Sequence, residues 1–401
     1  MKKQELVNIL ILFLFYFFLN PFISLFLSVI LFNVGSIQKW FTLFLFSVSF
    51  SLFFQSREIG VRFYEYATDD VIVYVDQFQS MEFKSLYGLF FDFFEMPSGR
   101  EIGYTILLKF ISILTFNNIP LFVFFHYFIL FFLFYFIIQK LSLRHSNLIV
   151  LGFILLFPIA IYSIAHVWRQ QIAVLLFYYG ILVYFIDNRK RKGSIIIFST
   201  ILFHLASVFY IFIFLLYILY MRYFEISKRS VLFLVLLNII IGKIVFQMIL
   251  LILENLGLYK LLLYTEGLSA NKDLFFILLP FYILISLFLM YLVKPKKENL
   301  FLFYYLLSCL ALPIVIPSLN SIYDRFINFS LPLLGLFFAV YISSFKNYFV
   351  YIFSAVFIFV IGSLRLFYEY NSSVGIISYI GNKAAFDPTM GILKMLILKI
   401  I

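Results

Sequence analysis

The acidic residues of this apolar chain gather in one segment, and that segment is where its chemistry is expected. The chain carries 19 aspartates and glutamates in 401 residues. Carboxylates can act as general bases and can accept hydrogen bonds from hydroxyl groups. Nine of the 19 lie between Arg57 and Glu101: Glu58, Glu65, Asp69, Asp70, Asp76, Glu82, Asp92, Glu95 and Glu101. This concentration predicts a polar site in a chain otherwise suited to lipid.

Within that segment, Asp70, Tyr74 and Phe78 follow one another at intervals of four residues. The interval predicts that the three side chains share one face of a helix. A carboxylate beside aromatic rings suits sugar binding, because rings stack on the apolar face of a pyranose while carboxylates accept from hydroxyls. Asp69 and the earlier Arg62 belong to the same candidate group. The alternative is an amphipathic interfacial helix whose acids are merely solvated.

A second candidate is the sequence Ser-Gly-Arg-Glu-Ile-Gly-Tyr that ends at Tyr104 and opens an apolar stretch. Glu101 lies where a helix would begin, and a helix N-terminus favours a carboxylate. Helix capping alone would explain Glu101. It would not explain the adjacent Arg100 or the Gly103-Tyr104 pair, so these residues are also candidates for substrate binding.

Two further motifs place single arginines at the ends of apolar stretches. One is Trp168-Arg169-Gln170, and the other is Tyr323-Asp-Arg325. A guanidinium can bind pyrophosphate or carboxylate oxygens through two parallel hydrogen bonds. The alternative for the first motif is a Trp-Arg anchor at a membrane interface. For the second motif, it is simple neutralisation of the arginine by the preceding aspartate.

His204 stands alone in an apolar run, in the sequence Phe-His-Leu-Ala-Ser. Such a histidine is either structural or part of a site.

The four histidines of the chain show no metal-ligand spacing, and no phosphate-binding glycine loop is present. We therefore expect no metal and no cofactor. The single cysteine, Cys309, allows no disulfide framework.

The composition predicts an all-α, polytopic integral membrane protein. Mean hydropathy is +1.07 and 64% of the residues are hydrophobic, which excludes a soluble domain. Successive apolar stretches of about 20 residues predict about 11 transmembrane helices, with a range of roughly 9 to 13. We expect a single membrane domain over residues 1–401, with an extracytoplasmic segment at 56–118.

Clusters of lysine and arginine mark the loops expected on the cytoplasmic side. Helices are predicted between them, among others at 119–138 and 170–187. Basic residues flank both ends of 195–220, so a re-entrant hairpin around His204 satisfies the charge rule better than one crossing. The same ambiguity applies to 6–35. On this topology Arg62, Arg100, Arg169 and Arg325 all face outward, against the positive-inside bias.

The sequence motifs described above, taken in this order, resemble those of the EpsG/Wzy family of bacterial polysaccharide polymerases. The resemblance covers about residues 55–345. The matching elements are Arg62 with Asp70-Tyr74-Phe78, Glu101-x-Gly103-Tyr104, Arg169-Gln170-x-Ile-Ala173, Phe203-His204-x-x-Ser207 and Tyr323-x-Arg325.

The resemblance implies a GT-C-like glycosyltransferase that needs no metal and no cofactor. Its donor and acceptor would both be undecaprenyl-diphosphate-linked oligosaccharides, joined at the outer face of the bacterial inner (cytoplasmic) membrane. Membrane lipid is a further expected partner, and a chain-length regulator is a candidate partner. No nucleic-acid partner is expected. Two rivals stay open: another lipid-linked GT-C enzyme such as an O-antigen ligase, and a flippase of lipid-linked oligosaccharides.

The chemistry of such a reaction suggests roles for the candidate residues. Arginines would stabilise the charge that develops on the diphosphate leaving group, with Arg169 and Arg325 as first candidates. Asp70 and Glu101 are the first candidates for the base or positioning carboxylate, and His204 is the third. The expected substrate-binding residues are Arg62, Asp69, Tyr74, Arg100, Tyr104, Gln170 and Tyr323.

Overall fold

The computed structural model describes residues 70–81, 101–140, 167–255, 272–293 and 296–315, with isolated positions within 7–19, 44–52, 349–364 and at 88. Every regular element in these ranges is helical and none is a strand. The predicted all-α class is therefore confirmed for the described part of the chain. No helix within these ranges combines the length and the apolar character of a membrane span. The predicted number of spans and the single domain stay predictions.

The helices are α1 (Asp70–Ser80), α2 (Ile102–Thr115), α3 (Ile119–Lys140), α4 (Trp168–Phe185), α5 (Lys190–Ser199), α6 (Ser207–Tyr223), α7 (Lys228–Asn255), α8 (Lys272–Leu292) and α9 (Lys297–Val315). A 3-10 helix, Thr200–Leu202, continues α5. The bounds of α3 and α4 agree closely with the stretches predicted at 119–138 and 170–187. Apolar runs bounded by polar or basic residues therefore suffice to locate these helices.

A tight turn joins α2 to α3. Phe116 and Asn117 adopt the left-handed backbone conformation, with φ angles of 49° and 59°. The side chain of Asn118 accepts a hydrogen bond from the backbone N–H of Leu121 at 3.0 Å, as an N-cap residue does. On the other side of α2, the Lys109 ammonium donates to the Met81 carbonyl at 2.6 Å and so ties the end of α1 to α2.

Helices α3 and α4 run side by side in the same direction. The rings of Tyr127 and Trp168 are 5.2 Å apart near the start of α4. Near its end, Lys140 forms an ion pair with Asp187 at 2.6 Å. The two contacts fix the two ends of the bundle, because they lie at opposite ends of the same pair of helices.

Helix α5 returns along α4 in very close contact. A Cβ atom added at Gly180 would lie 2.8 Å from a side-chain carbon of Ile197, and one added at Gly193 would lie 2.7 Å from the Cβ of Tyr184. Only glycine permits so short an approach of two helices. The order of these contacts shows that α5 runs antiparallel to α4 and carries the chain back towards Arg169.

The chain then reverses at Phe203–Ala206, and α6 leaves in the direction of α4. The rings of Phe177 and Tyr210 are 6.1 Å apart, and those of Phe185 and Tyr217 are also 6.1 Å apart. Helices α5 and α6 thus form a hairpin with its turn at His204, as the basic residues at both ends of 195–220 predicted. Whether this hairpin enters and leaves one membrane face stays a prediction.

The remaining contacts define a basic end and a site end of the bundle. The Tyr217 hydroxyl donates to the Lys297 carbonyl at 3.2 Å, which brings the end of α6 to the start of α9. The Lys228 ammonium donates to the Tyr291 carbonyl at the end of α8. The basic end therefore contains Lys140, Arg189–Lys192, Arg222, Lys228 and Lys297. The site end contains the starts of α2 and α4 and the turn at His204.

A buried polar contact joins α7 to α9. The Asn238 amide donates to the Tyr304 hydroxyl at 2.6 Å and to the Ser308 hydroxyl at 2.9 Å. All three residues are buried. A side-chain amide that bonds two hydroxyls on the same helix face sets the register of the two helices.

Candidate functional site

Glu101 precedes the first turn of α2, but its carboxylate does not cap the helix. The backbone carbonyl of Glu101 accepts from the N–H of Thr105 at 3.0 Å, as the residue before a helix does. Its side chain makes no capping hydrogen bond. The capping interpretation therefore does not account for this carboxylate, which is engaged elsewhere.

The two carboxylate oxygens of Glu101 contact two residues that are distant in sequence. Oε2 accepts a hydrogen bond from Nη1 of Arg169 at 2.5 Å. Oε1 lies 3.2 Å from Nδ1 of His204. One carboxylate thus connects the start of α2, the start of α4 and the turn between α5 and α6. We call these three residues the Glu101 triad.

The turn that carries His204 satisfies its own backbone. The His204 N–H donates to the Thr200 carbonyl at 3.0 Å, and the Ser207 N–H donates to the His204 carbonyl at 3.0 Å. The Ser207 hydroxyl adds a bond to the same Thr200 carbonyl at 3.3 Å. The hairpin can therefore reverse inside an apolar bundle without leaving these backbone groups unpaired.

Gly103 lets this turn approach α2. A Cβ atom at position 103 would lie 2.9 Å from the Cβ of Leu202 and 3.0 Å from its carbonyl oxygen. The two chain segments therefore touch at backbone distance. Because Gly103 follows Glu101 by two residues and Leu202 precedes His204 by two, this contact sets the separation of the two site residues.

Arg169 lies against an aromatic wall. Its guanidinium carbon is 5.4 Å from the ring centre of Tyr74 and 5.9 Å from that of Tyr104. The Tyr74 ring stacks on Trp168 at 5.4 Å with an interplanar angle of 16°. A cation over aromatic faces is stabilised and held in place. Trp168 is completely buried, so it does not act as an exposed anchor at an interface.

The electrostatics of the triad favour its charged form. Burial raises the pKa of the Glu101 carboxyl, but the hydrogen bond with His204 and the charge of Arg169 outweigh burial and hold that pKa below its ordinary value. Burial opposes the charge of Arg169, yet Tyr74 and Glu101 raise the pKa of its guanidinium above the ordinary value. We therefore expect an ionised carboxylate facing a protonated guanidinium.

Exposure distinguishes the members of the triad. The side chains of Glu101 and His204 are 12% and 10% exposed, whereas that of Arg169 is 25% exposed. Arg169 is therefore the member that a ligand reaches most readily.

The structure brings together five of the residues proposed from the sequence: Glu101, Arg169, His204, Tyr74 and Tyr104. Tyr74 and Phe78 share the buried face of α1, as their spacing predicted. Gln170 is buried beside Arg169. Asp70 begins α1, and its side chain lies outside the described part of the structure. The others lie outside the described residues altogether: Arg62, Asp69, Arg100, Tyr323 and Arg325.

Two features of the site were not identified from the sequence. His126 stacks on Trp168 with ring centres 4.1 Å apart and is fully buried. The contact of Gly103 with Leu202 is the other. The glycine and the histidine in an apolar run were visible in the sequence, but contacts between residues on different helices leave no local pattern that identifies their partners. Within the described ranges, no group of three or more potential metal-ligating side chains occurs.

Comparison with known proteins supports the resemblance. The EpsG family matches residues 43–380 of the 401. This is a membrane-associated family of polysaccharide biosynthesis, and the match indicates a polymerase-type function at a membrane. No curated protein and no solved structure matches the chain.

Proposed function

The chain belongs to the EpsG family, and from this membership and the geometry of the Glu101 triad we propose that it is a glycosyltransferase that polymerises polysaccharide. Its substrates would be undecaprenyl-diphosphate-linked repeat units at the outer face of the bacterial cytoplasmic membrane. The observation that carries the proposal is the contact of one carboxylate with both Arg169 and His204. It unites a group that binds phosphate with a group that accepts a proton.

In the proposed reaction, a hydroxyl of the acceptor repeat unit attacks the anomeric carbon of the donor glycan. The bond between that carbon and the diphosphate oxygen breaks, and a new glycosidic bond forms. The lipid diphosphate leaves with the bonding electron pair, and the hydroxyl proton passes to a base. A direct displacement of this kind inverts the anomeric centre.

His204 is the base best supported by the geometry. Its Nδ1 faces the Glu101 carboxylate, which accepts hydrogen bonds but donates none when ionised. The neutral imidazole therefore carries its hydrogen on Nδ1, and its Nε2 lone pair can take a proton. Glu101 is then a positioning residue, because both of its oxygens are already engaged.

Arg169 is the residue proposed to stabilise the departing diphosphate. A guanidinium has five N–H donors in a planar fork that suits the oxygens of a diphosphate, and Arg169 is the most exposed member of the triad. Charge stabilisation by a preorganised donor is strong in a site largely shielded from water. A glycosyl transfer assisted in this way would need no metal ion.

The other candidates complete the proposed site. Helix α9 runs from the basic end and ends at Val315, a short distance in sequence before Tyr323 and Arg325. We propose Arg325 as a second diphosphate ligand, with Arg62 or Arg100 assisting, and Asp69 and Asp70 as acceptors of sugar hydroxyls.

The test is deletion of the gene followed by gel analysis of the surface polysaccharide, with complementation by wild type, Arg169→Ala and Arg191→Ala. Arg191 is exposed at the basic end and serves as the matched control. We expect a long ladder with wild type and with the control, and single repeat units with Arg169→Ala at equal protein level. Loss of all surface glycan on deletion would contradict the proposal in favour of a flippase or ligase. Accumulation of lipid-linked polymer would identify the ligase.

A further inference from the structure

Three polar aromatic side chains lie behind Arg169, and the proposed mechanism uses none of their polar atoms. Tyr104, His126 and Trp168 are each at most 1% exposed. The ring centres of Tyr104 and His126 are 5.7 Å apart, and those of His126 and Trp168 are 4.1 Å apart. They form one cluster contributed by α2, α3 and α4.

Their polar atoms have no hydrogen-bond partner in the part of the chain that the structure describes. These atoms are the Tyr104 hydroxyl, both His126 ring nitrogens and the Trp168 indole nitrogen. Burying a polar group without a partner costs free energy, and native proteins rarely leave such groups unpaired. Several such atoms in a single cluster therefore point to a polar group that enters it.

Packing alone does not explain the choice of these residues. The chain contains 59 phenylalanines, and the neighbour that packs edge-on against both His126 and Trp168 is one of them, Phe122. A phenylalanine ring would fill the same space as His126 without leaving nitrogens unbonded. Two of the polar rings lie next to the site: Trp168 precedes Arg169 in sequence, and the ring centres of Tyr104 and Trp168 are 5.5 Å and 5.4 Å from that of Tyr74.

The donors and acceptors of the cluster match a hydroxyl group. An indole N–H can only donate, a neutral imidazole offers one donor and one acceptor, and a tyrosine hydroxyl does both. A hydroxyl oxygen accepts and donates at once, so it can satisfy several of these atoms together. Aromatic faces beside such atoms are also the surroundings in which proteins hold sugars.

We infer that the polar atoms of Tyr104, His126 and Trp168 form a subsite that binds one sugar hydroxyl of the lipid-linked substrate. The inference rests on the proposed function, since it names a contact of that same substrate. A buried water molecule offers the same hydrogen-bonding chemistry as a sugar hydroxyl. The two sources differ in when the polar atoms are needed: water stabilises the substrate-free protein, whereas a sugar hydroxyl acts only during binding.

Two variants remove polar atoms and keep an aromatic ring of similar size: Tyr104→Phe and His126→Phe. Tyr305→Phe is the matched control, because Tyr305 is also fully buried but lies in α9, with its ring against Phe177. Each purified full-length protein is first heated without substrate. Polymer formation is then measured against the concentration of lipid-linked repeat units extracted from the deletion strain.

We expect unfolding temperatures of the two variants that are no lower than that of wild type, a KM roughly tenfold higher, little change in kcat, and wild-type KM and kcat for the control. Wild-type KM in both variants would overturn the subsite. A clear loss of unfolding temperature without substrate would also overturn it, because it would identify a structural water. Absence of polymer formation by the wild-type protein, with no shortening of polymer on deletion, would remove the proposed function itself and the subsite with it.

Discussion

The Nδ1 atom of His204 lies 3.2 Å from the carboxylate of Glu101, although 103 positions separate the two residues. The contact joins the turn between α5 and α6 to the beginning of α2. The same carboxylate also holds Arg169 from α4, 68 positions away from Glu101. Tertiary packing of three chain segments therefore forms the site. Its side chains can be substituted one at a time to test the site without changing the sequences of the helices as a whole.

Replacement of Glu101 by glutamine is expected to abolish polymerisation and to remove an acid-sensitive part of the stability. Because the pKa of Glu101 in the folded protein lies below its ordinary value of 4.5, the ionised carboxylate stabilises the fold above that value. This contribution is lost as the pH falls through the lower pKa of the folded state. Unfolding temperatures of wild type and Glu101→Gln should differ at pH 7 and converge as the pH falls below 4.5 and through the lower pKa of the folded state. A constant difference across this range would contradict the ion pair.

His204→Asn separates the positioning and proton-accepting functions of the imidazole. The asparagine amide can still donate to Glu101 from near the Nδ1 position but cannot accept a proton. We expect an unchanged unfolding temperature and a polymerisation rate lower by roughly 10²–10⁴-fold, the usual contribution of a general base. His204→Gln, whose amide lies nearer the Nε2 position, is the comparison. Normal polymer length with His204→Asn would assign the base to another residue.

Arg169→Lys is expected to behave like Arg169→Ala and not like wild type. A lysine keeps the charge but loses the planar fork that bonds Glu101 and rests on the rings of Tyr74 and Tyr104. Polymer length on gels at matched protein level is the measurement. Full activity of the lysine variant would show that the positive charge alone is required.

Gly103→Ala should damage the site through the backbone. The added methyl group meets the Cβ and carbonyl oxygen of Leu202 at 2.9 Å and 3.0 Å, so the His204 turn must move away from Glu101. We expect a destabilisation of about 1–3 kcal/mol and shortened polymer. Ile106→Ala, at an exposed position of the same helix, is the control and should leave polymer length unchanged. Equal unfolding temperatures for Gly103→Ala and wild type would contradict the close contact.

Asn238→Ala tests the packing away from the site. It removes the donor to Tyr304 and Ser308 and leaves two buried hydroxyls without this partner. The expected loss is about 1–3 kcal/mol of unfolding free energy, measured by thermal or denaturant unfolding in detergent. Polymerisation per folded molecule should remain near wild type, because the contact joins α7 to α9 and touches no member of the triad.

Much of the helical framework could be predicted from apolar runs and their charged ends. The bounds of α3 and α4 and the reversal at His204 follow from the positions of Lys140, Arg189–Lys192 and Arg222. The shared face of Tyr74 and Phe78 follows from helical spacing. These features are local, and local features leave a pattern in one sequence.

The composition of the site was only partly predictable. Glu101, Arg169 and His204 stood out because ionisable residues are costly in apolar surroundings. That they meet through one carboxylate could not be inferred, since no spacing rule relates residues 68 or 103 positions apart. His126 offered the same signal as His204, an ionisable residue in an apolar run, but its stacking on Trp168 from another helix could not be inferred from spacing. The sequence also could not show that both Glu101 oxygens are engaged, the observation on which the proposal of His204 as the base depends.

The distribution of the triad over three chain segments has a consequence for biosynthesis. A nascent chain that ends before residue 190 contains Glu101 and Arg169 but lacks the hairpin that delivers His204. Such an intermediate carries the arginine proposed to bind the diphosphate but lacks the imidazole proposed to accept the proton of an incoming hydroxyl. The proposed activity would therefore begin only when the hairpin has docked, and partly synthesised molecules could not consume the lipid carrier.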